Sequence, residues 1–96
     1  MKIYKCLCEA IDYGTNPTAM QELREILESF DTIKIIKEFY EEGTIEEGAG
    51  AGIILEISKD DYKKTNMKLR KITAKKYGVD EMFYRLGMSV ISEIEK

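Results

Sequence analysis

Ala49, Ala51, Ile53, Leu55 and Ile57 alternate without a break through residues 49–58 (AGAGIILEIS), and no other stretch constrains the fold as tightly. A two-residue apolar period belongs to a strand with one covered face, because successive side chains of an extended backbone point to opposite sides. Residues 32–41 (TIKIIKEFYE) read as the preceding strand, with Ile33, Ile35 and Phe39 on one face. The connection between them, 42–48 (EGTIEEG), holds two glycines and three glutamates, so the pair reads as an antiparallel hairpin with a solvated tip.

The flanking segments supply more strands and a helical layer. Residues 2–11 (KIYKCLCEAI) are rich in strand-forming residues. Asp12 to Thr15 form a turn, after which Asn16 and Pro17 suit the cap and first position of a helix over 17–30. That helix turns Met20, Leu23, Leu27 and Phe30 inward, with Gln21, Glu25 and Glu28 on the opposite side. A second helix over 59–77 has Tyr62, Leu69, Ile72 and Tyr77 as its inner face and Gly78 as its C-terminal cap.

The last segment carries two patterns. Tyr84, Leu86, Met88 and Val90 alternate as in a half-buried strand, while Val79, Met82, Phe83, Leu86, Val90 and Ile94 fit a helical stripe that Asp80 caps. The strand is the preferred reading, because a fourth strand covers an otherwise open edge. With right-handed crossovers, the order βαββαβ gives a four-stranded antiparallel sheet with both helices on one face. This is a ferredoxin-like α+β two-layer sandwich, expected to form a single domain over residues 1–96; the alternative is βαββαα, with 80–94 helical. The arrangement serves many unrelated functions and says little about activity.

Charge is more informative. The chain has a net charge of −3, yet residues 59–77 hold eight basic and two acidic side chains against seven basic and sixteen acidic elsewhere. Lys64, Lys68, Lys71 and Lys75 follow offsets of four, three and four, which places them on one helix face, with Lys63 and Arg70 beside them. Such a stripe is either a solvated face, neutralised in part by Gln21, Glu25 and Glu28 on the neighbouring helix, or a docking face for phosphates or an acidic protein. Glu42, Glu46 and Glu47 on the hairpin form an acidic counterpart that suits a basic groove on a partner. They lack the Asp/Asn spacing of a calcium loop.

Other motifs resolve into structural roles. Gly48, Gly50 and Gly52 lead into a strand and not into a helix N-terminus, so they do not form a phosphate loop; they suit a turn, a bend or a close approach. Cys6 and Cys8 lack the histidines or further cysteines of a zinc site, and a bridge between strand positions two apart is strained. They read as buried or interface thiols in a reducing cytoplasm. The chain has no histidine, and no nucleophile–base pair stands out, so no enzyme, metal or cofactor is expected. No signal peptide is expected, since MKIYKCLCEA alternates instead of forming an apolar block, and no apolar run is long enough for a membrane-spanning helix.

With helices on one face only, the other sheet face is expected to expose Cys6, Cys8, Ile36, Tyr40 and Ile54 among Lys34, Glu38 and Glu56. That mixture favours a homodimer through stacked sheets. The expected function is therefore non-catalytic: a small cytoplasmic protein that binds a macromolecular partner, in the manner of a regulator or inhibitor encoded by a phage or mobile element. An RNA- or ribonucleoprotein-binding module using the basic helix is the alternative, although GAGAGIILEI lacks the stacking aromatics of an RNA-recognition sheet and Tyr4 and Tyr40 serve only if turned outward. A small-molecule-binding regulatory dimer is a third possibility.

Overall fold

A computed structural model describes residues 1–10, 18–40, 50–78 and 87–96, with the side chain of Tyr77 outside the description. The elements are β1 (Lys2–Glu9), α1 (Ala19–Glu28), β2 (Lys34–Tyr40), β3 (Ala51–Ser58), α2 (Lys59–Tyr77) and β4 (Met88–Glu95). The strands form one sheet in the order β2-β3-β1-β4, and every neighbouring pair is antiparallel. This is the expected ferredoxin-like βαββαβ arrangement. Residues 88–95 are a strand, which removes the βαββαα alternative. The strand lies further along the chain than the alternation of Tyr84 to Val90 suggests, and Tyr84 and Leu86 fall outside the described residues.

The core forms where the alternation of β3 meets the helices. Ala51, Ile53, Leu55 and Ile57 are all buried, with Cys6 and Cys8 of β1 beside them and Met20, Leu23, Leu27 and Leu69 packed above. Gly52 lets β3 approach β1 closely: a Cβ there would stand 2.5 Å from the Cys8 carbonyl oxygen. Thr18, not Asn16, is the N-cap of α1, and its Oγ1 donates to Glu22 Oε1 at 3.1 Å. Asn16 and Pro17 lie outside the described residues.

Register corrects the assignment of faces. Cys6 pairs with Leu55 and Cys8 with Ile53, so both thiols share the helix-covered face of β3 and not the open face. On β2, Ile35 pairs with Leu55 but Lys37 pairs with Ile54, so Ile36 is the extra residue of a bulge. Beyond it the alternation reverses. Glu38 and Tyr40 turn to the helix side, where Glu38 receives Arg24 of α1 at 3.2 Å and Tyr40 Oη donates to Glu38 at 2.6 Å. Phe39 goes to the open side, opposite Gly52. Of the five residues expected to cover a dimer partner, Ile54 lies on the open face and Ile36 stands exposed at the bulge. Cys6, Cys8 and Tyr40 do not belong there.

The other edge strand is bulged as well. Val90 pairs with Cys6 and Ser92 with Lys5, leaving Ile91 as the extra residue. Val90 and Ile94, four apart as in a helical stripe, therefore face opposite sides of the sheet. Two bulged edges twist the backbone away from flat strand addition.

Candidate basic face on the second helix

Helix α2 is well specified at both ends. Ser58 is extended and its Oγ accepts from the Asp61 backbone N–H at 3.2 Å, while Asp60 and Asp61 sit in the first turn, where the helix dipole favours carboxylates. Lys75 and Lys76 occupy the last turn, and Gly78 closes the helix at φ +64° with its N–H on the Ala74 carbonyl.

Its inward face is more polar than the apolar pattern implied. Thr65, Leu69 and Thr73 are buried and Tyr62 is half-buried, at offsets of three, four and four. Ile72, expected inside, is 42% exposed. The threonines enter the core because their hydroxyls are satisfied: Thr73 Oγ1 donates to the Leu69 carbonyl at 2.9 Å, and Thr65 Oγ1 lies 2.8 Å from Thr32 Oγ1. Tyr62 stacks edge-on against Tyr4, with ring centroids 5.3 Å apart, and donates to the Met88 carbonyl at 2.7 Å. Asn66 Oδ1 accepts from the Met88 N–H at 2.8 Å. Tyr62 and Asn66 thus hold both backbone groups of the residue that begins β4.

With that face fixed, Lys64, Lys68, Lys71 and Lys75 are all exposed and share the opposite side. The row runs about 16 Å along the helix axis. Among the described residues, none of the four forms an ion pair. The carboxylates expected to balance them are engaged elsewhere: Glu28 pairs with Arg24 at 3.0 Å, and Glu25 accepts from Gln21 at 3.4 Å. Lys63 is exposed on the flank towards β4, whereas Arg70 on that flank is half-buried, its stem packed near Gly87. The expected basic patch is thus four lysines wide with Lys63 at its border, and Arg70 contributes to packing.

Lys64 and Lys68 also form one wall of a cleft of about 290 Å³, closed on the other side by Ser29, Phe30, Asp31 and Thr32 after α1, with Asp60, Asp61 and Thr65 completing it. Three carboxylates gather at this N-terminal end of the helix, so positive charge strengthens towards Lys71 and Lys75. Neither Asp31 nor Thr32 was singled out by sequence, since only the turn after α1 brings them to α2.

No family model, curated protein or solved structure matches this chain. Glu42, Glu46 and Glu47 lie outside the described residues. Among the described residues no group of three or more His, Cys, Asp or Glu side chains is placed to hold a metal ion, and no helix is long and apolar enough to cross a membrane. Lys59 Nζ donates to Glu93 at 3.4 Å and lies 5.9 Å from the Tyr4 ring centroid; the bond to Glu93 raises its pKa.

Cys6 and Cys8 are free, fully enclosed thiols. Burial pushes them up from 9.0 to about 11 and about 12, with Glu9 and then Cys6 adding to the effect at Cys8. A thiol protonated at neutral pH inside a core is a poor nucleophile. The folded state therefore holds more protons than the unfolded chain above pH 9, so stability falls as pH rises from about 9 towards 12, by up to about 1.4 kcal/mol per pH unit for each thiol. Iodoacetamide at pH 8 is expected to modify neither cysteine in the native protein and both after denaturation. Thermal unfolding is expected to shift downward between pH 9 and pH 11, less so in a Cys6→Ala/Cys8→Ala variant.

Proposed function

We propose that this protein is a non-catalytic binding domain that docks an acidic macromolecular surface, most simply that of a protein, on the lysine face of α2. The observation that carries the reading is that Lys64, Lys68, Lys71 and Lys75 stand in one exposed row with no ion-pair partner among the described residues. A row of exposed cations on a helix steers and orients an oppositely charged partner at little conformational cost, since the helix backbone is already ordered. Such a domain acts as a regulator or inhibitor, by occupying a surface that its partner needs elsewhere. Free buried thiols suit a reducing compartment, and the reading places the protein in the cytoplasm. It also takes the protein to be a homodimer through the open sheet face, which leaves each lysine row free on the far side of its own subunit.

An RNA partner receives less support. Tyr4 is stacked against Tyr62 on the helix side, Tyr40 faces the helix side as well, and Phe39 on the edge strand is the aromatic that the described open face presents. The test is capture from a host lysate with wild-type protein and with Lys68→Glu/Lys71→Glu, each with and without nuclease. A protein retained by the wild type regardless of nuclease, and lost by about tenfold or more in the variant, supports the reading. Equal capture by both proteins contradicts it, and capture abolished by nuclease transfers the site to nucleic acid.

A further inference from the structure

The sheet face turned away from the helices carries an ordered pattern of charge and apolar side chains. Its two central strands, β3 and β1, carry two adjacent cross-strand pairs on that face: Lys5 opposite Glu56, and Leu7 opposite Ile54. The first pair joins opposite charges and the second joins two apolar side chains, Leu7 half-buried and Ile54 only 7% exposed, so the pair forms a shallow apolar floor between longer side chains. Ile3, Phe39 and Ile94 extend the apolar surface outward. Lys5 forms no ion pair among the described residues, while Glu56 accepts Lys96 Nζ at 3.1 Å through Oε1.

We infer that two chains stack these faces about a two-fold axis running parallel to the strands, over the line between β1 and β3. This inference rests on the dimer proposed above and adds its geometry. The operation lays β1 of one subunit over β3 of the other. Lys5 then meets the partner's Glu56 and Glu56 meets the partner's Lys5, while Leu7 and Ile54 exchange in the same way. Lys34 and Lys37 on the edge strand β2 come over the partner's Ser92 and the partner's Ser89, so no like charges face each other there.

A two-fold axis running across the strands has the opposite consequence. Each strand then lies over itself, and Lys5 meets either the partner's Lys5 or the partner's Leu7. Like charges or a charge on an apolar side chain oppose that arrangement. Stacked sheets rotate by about 30° relative to one another, which displaces residues least at the centre, where the two pairs lie. Stable interfaces bury about 800 Å² per partner. That is roughly one-eighth of the 6467 Å² surface of this chain, within the reach of one full sheet face.

Sedimentation equilibrium of the whole chain tests the arrangement, with Lys5→Glu, Glu56→Lys and the double reversal beside the wild type. The expected masses are twice 11.1 kDa for the wild type and the double reversal, with dissociation about tenfold or more easier in each single variant. Because Lys5 and Glu56 are also cross-strand neighbours within one subunit, the decisive sample is a mixture of Lys5→Glu with Glu56→Lys, which restores opposite charges only between subunits and is expected to form the dimer that neither variant forms as tightly alone. A wild type that stays monomeric at millimolar concentration overturns both the dimer and its geometry. A dimer unaffected by the single reversals, or not restored by the double or by the mixture, overturns the geometry and leaves the dimer standing.

Discussion

Replacing Leu55 with alanine is expected to lower the unfolding free energy by about 2–5 kcal/mol. Leu55 is 0% exposed at the middle of β3, flanked by Cys6 on β1 and Ile35 on β2, under the layer formed by α1 and α2. Removing its three outer carbons forfeits their transfer from water and leaves a void that strands on both sides prevent from collapsing. A domain of this length has about 5–14 kcal/mol of stability in total, so the loss is a large share of it. The midpoint of urea unfolding falls accordingly, with the slope unchanged. Ile36→Ala is the internal control. Ile36 stands 42% exposed at the β2 bulge, and its truncation is expected to cost less than about 1 kcal/mol. Equal losses at the two positions would mean that the bulge does not divide the sheet faces in this way.

Gly87→Ala is the second large effect, for a different reason. Gly87 enters β4 at φ +84°, where a side chain is strained by about 1–3 kcal/mol. A Cβ there would also stand 2.3 Å from Asn66 Oδ1 and 2.7 Å from Arg70 Cγ. Asn66 has little freedom to retreat, because the same oxygen accepts the Met88 N–H that begins the strand. The substitution is therefore expected to loosen β4 from α2, seen as faster amide exchange along Met88–Glu95 and a stability loss of about 2–4 kcal/mol. In an Asn66→Ala background the clash with the amide is gone, so the further cost of Gly87→Ala is expected to be smaller; full additivity would contradict the contact.

These two positions mark the limits of what the sequence discloses. The core side of β3 is legible because its alternation is unbroken and no competing period exists over 49–58. Helix α2 is legible from Ser58, the aspartates of its first turn and Gly78. The edge strands are less so, since one extra residue at Ile36 and one at Ile91 reverse the faces of everything beyond them, and nothing local in KIIKEFY or MSVISEIE announces where that residue falls. For the same reason Phe39 and Tyr40 exchange faces relative to simple alternation. The faces of β1 are not legible locally, because Ile3, Lys5 and Leu7 alternate with Tyr4, Cys6 and Cys8, both sides carry apolar residues, and only the register with β3 assigns Cys6 and Cys8 to the helix side. Thr65 and Thr73 escape an apolar count although their spacing is that of a buried stripe. The lysine row is legible because charge at helical spacing needs no register. Its cleft is not, because Asp31 and Thr32 reach α2 only through the turn after α1.

The row also bears on how the two proposed surfaces combine. Dimerisation through the sheet would cover Leu7, beside an Ile54 that is already buried within its own subunit, whereas α2 lies in the other layer. Both surfaces can then be engaged at once, and a dimer would present two basic rows to a two-fold or repeating partner. Two linked contacts raise apparent affinity well beyond that of one, provided the partner offers both sites at a compatible separation.

Lysine footprinting of the captured complex addresses the functional claim at its source. Acylation of the free protein and of the complex, quantified residue by residue by mass spectrometry, is expected to show Lys64, Lys68, Lys71 and Lys75 protected by the partner. Lys2, which shares Glu93 with Lys59 at the start of α2 and lies on the sheet side of the helix away from the row, is expected to react equally in both. Unchanged acylation of the four-lysine row in a complex that protects other lysines would contradict the assignment of α2 as the docking face.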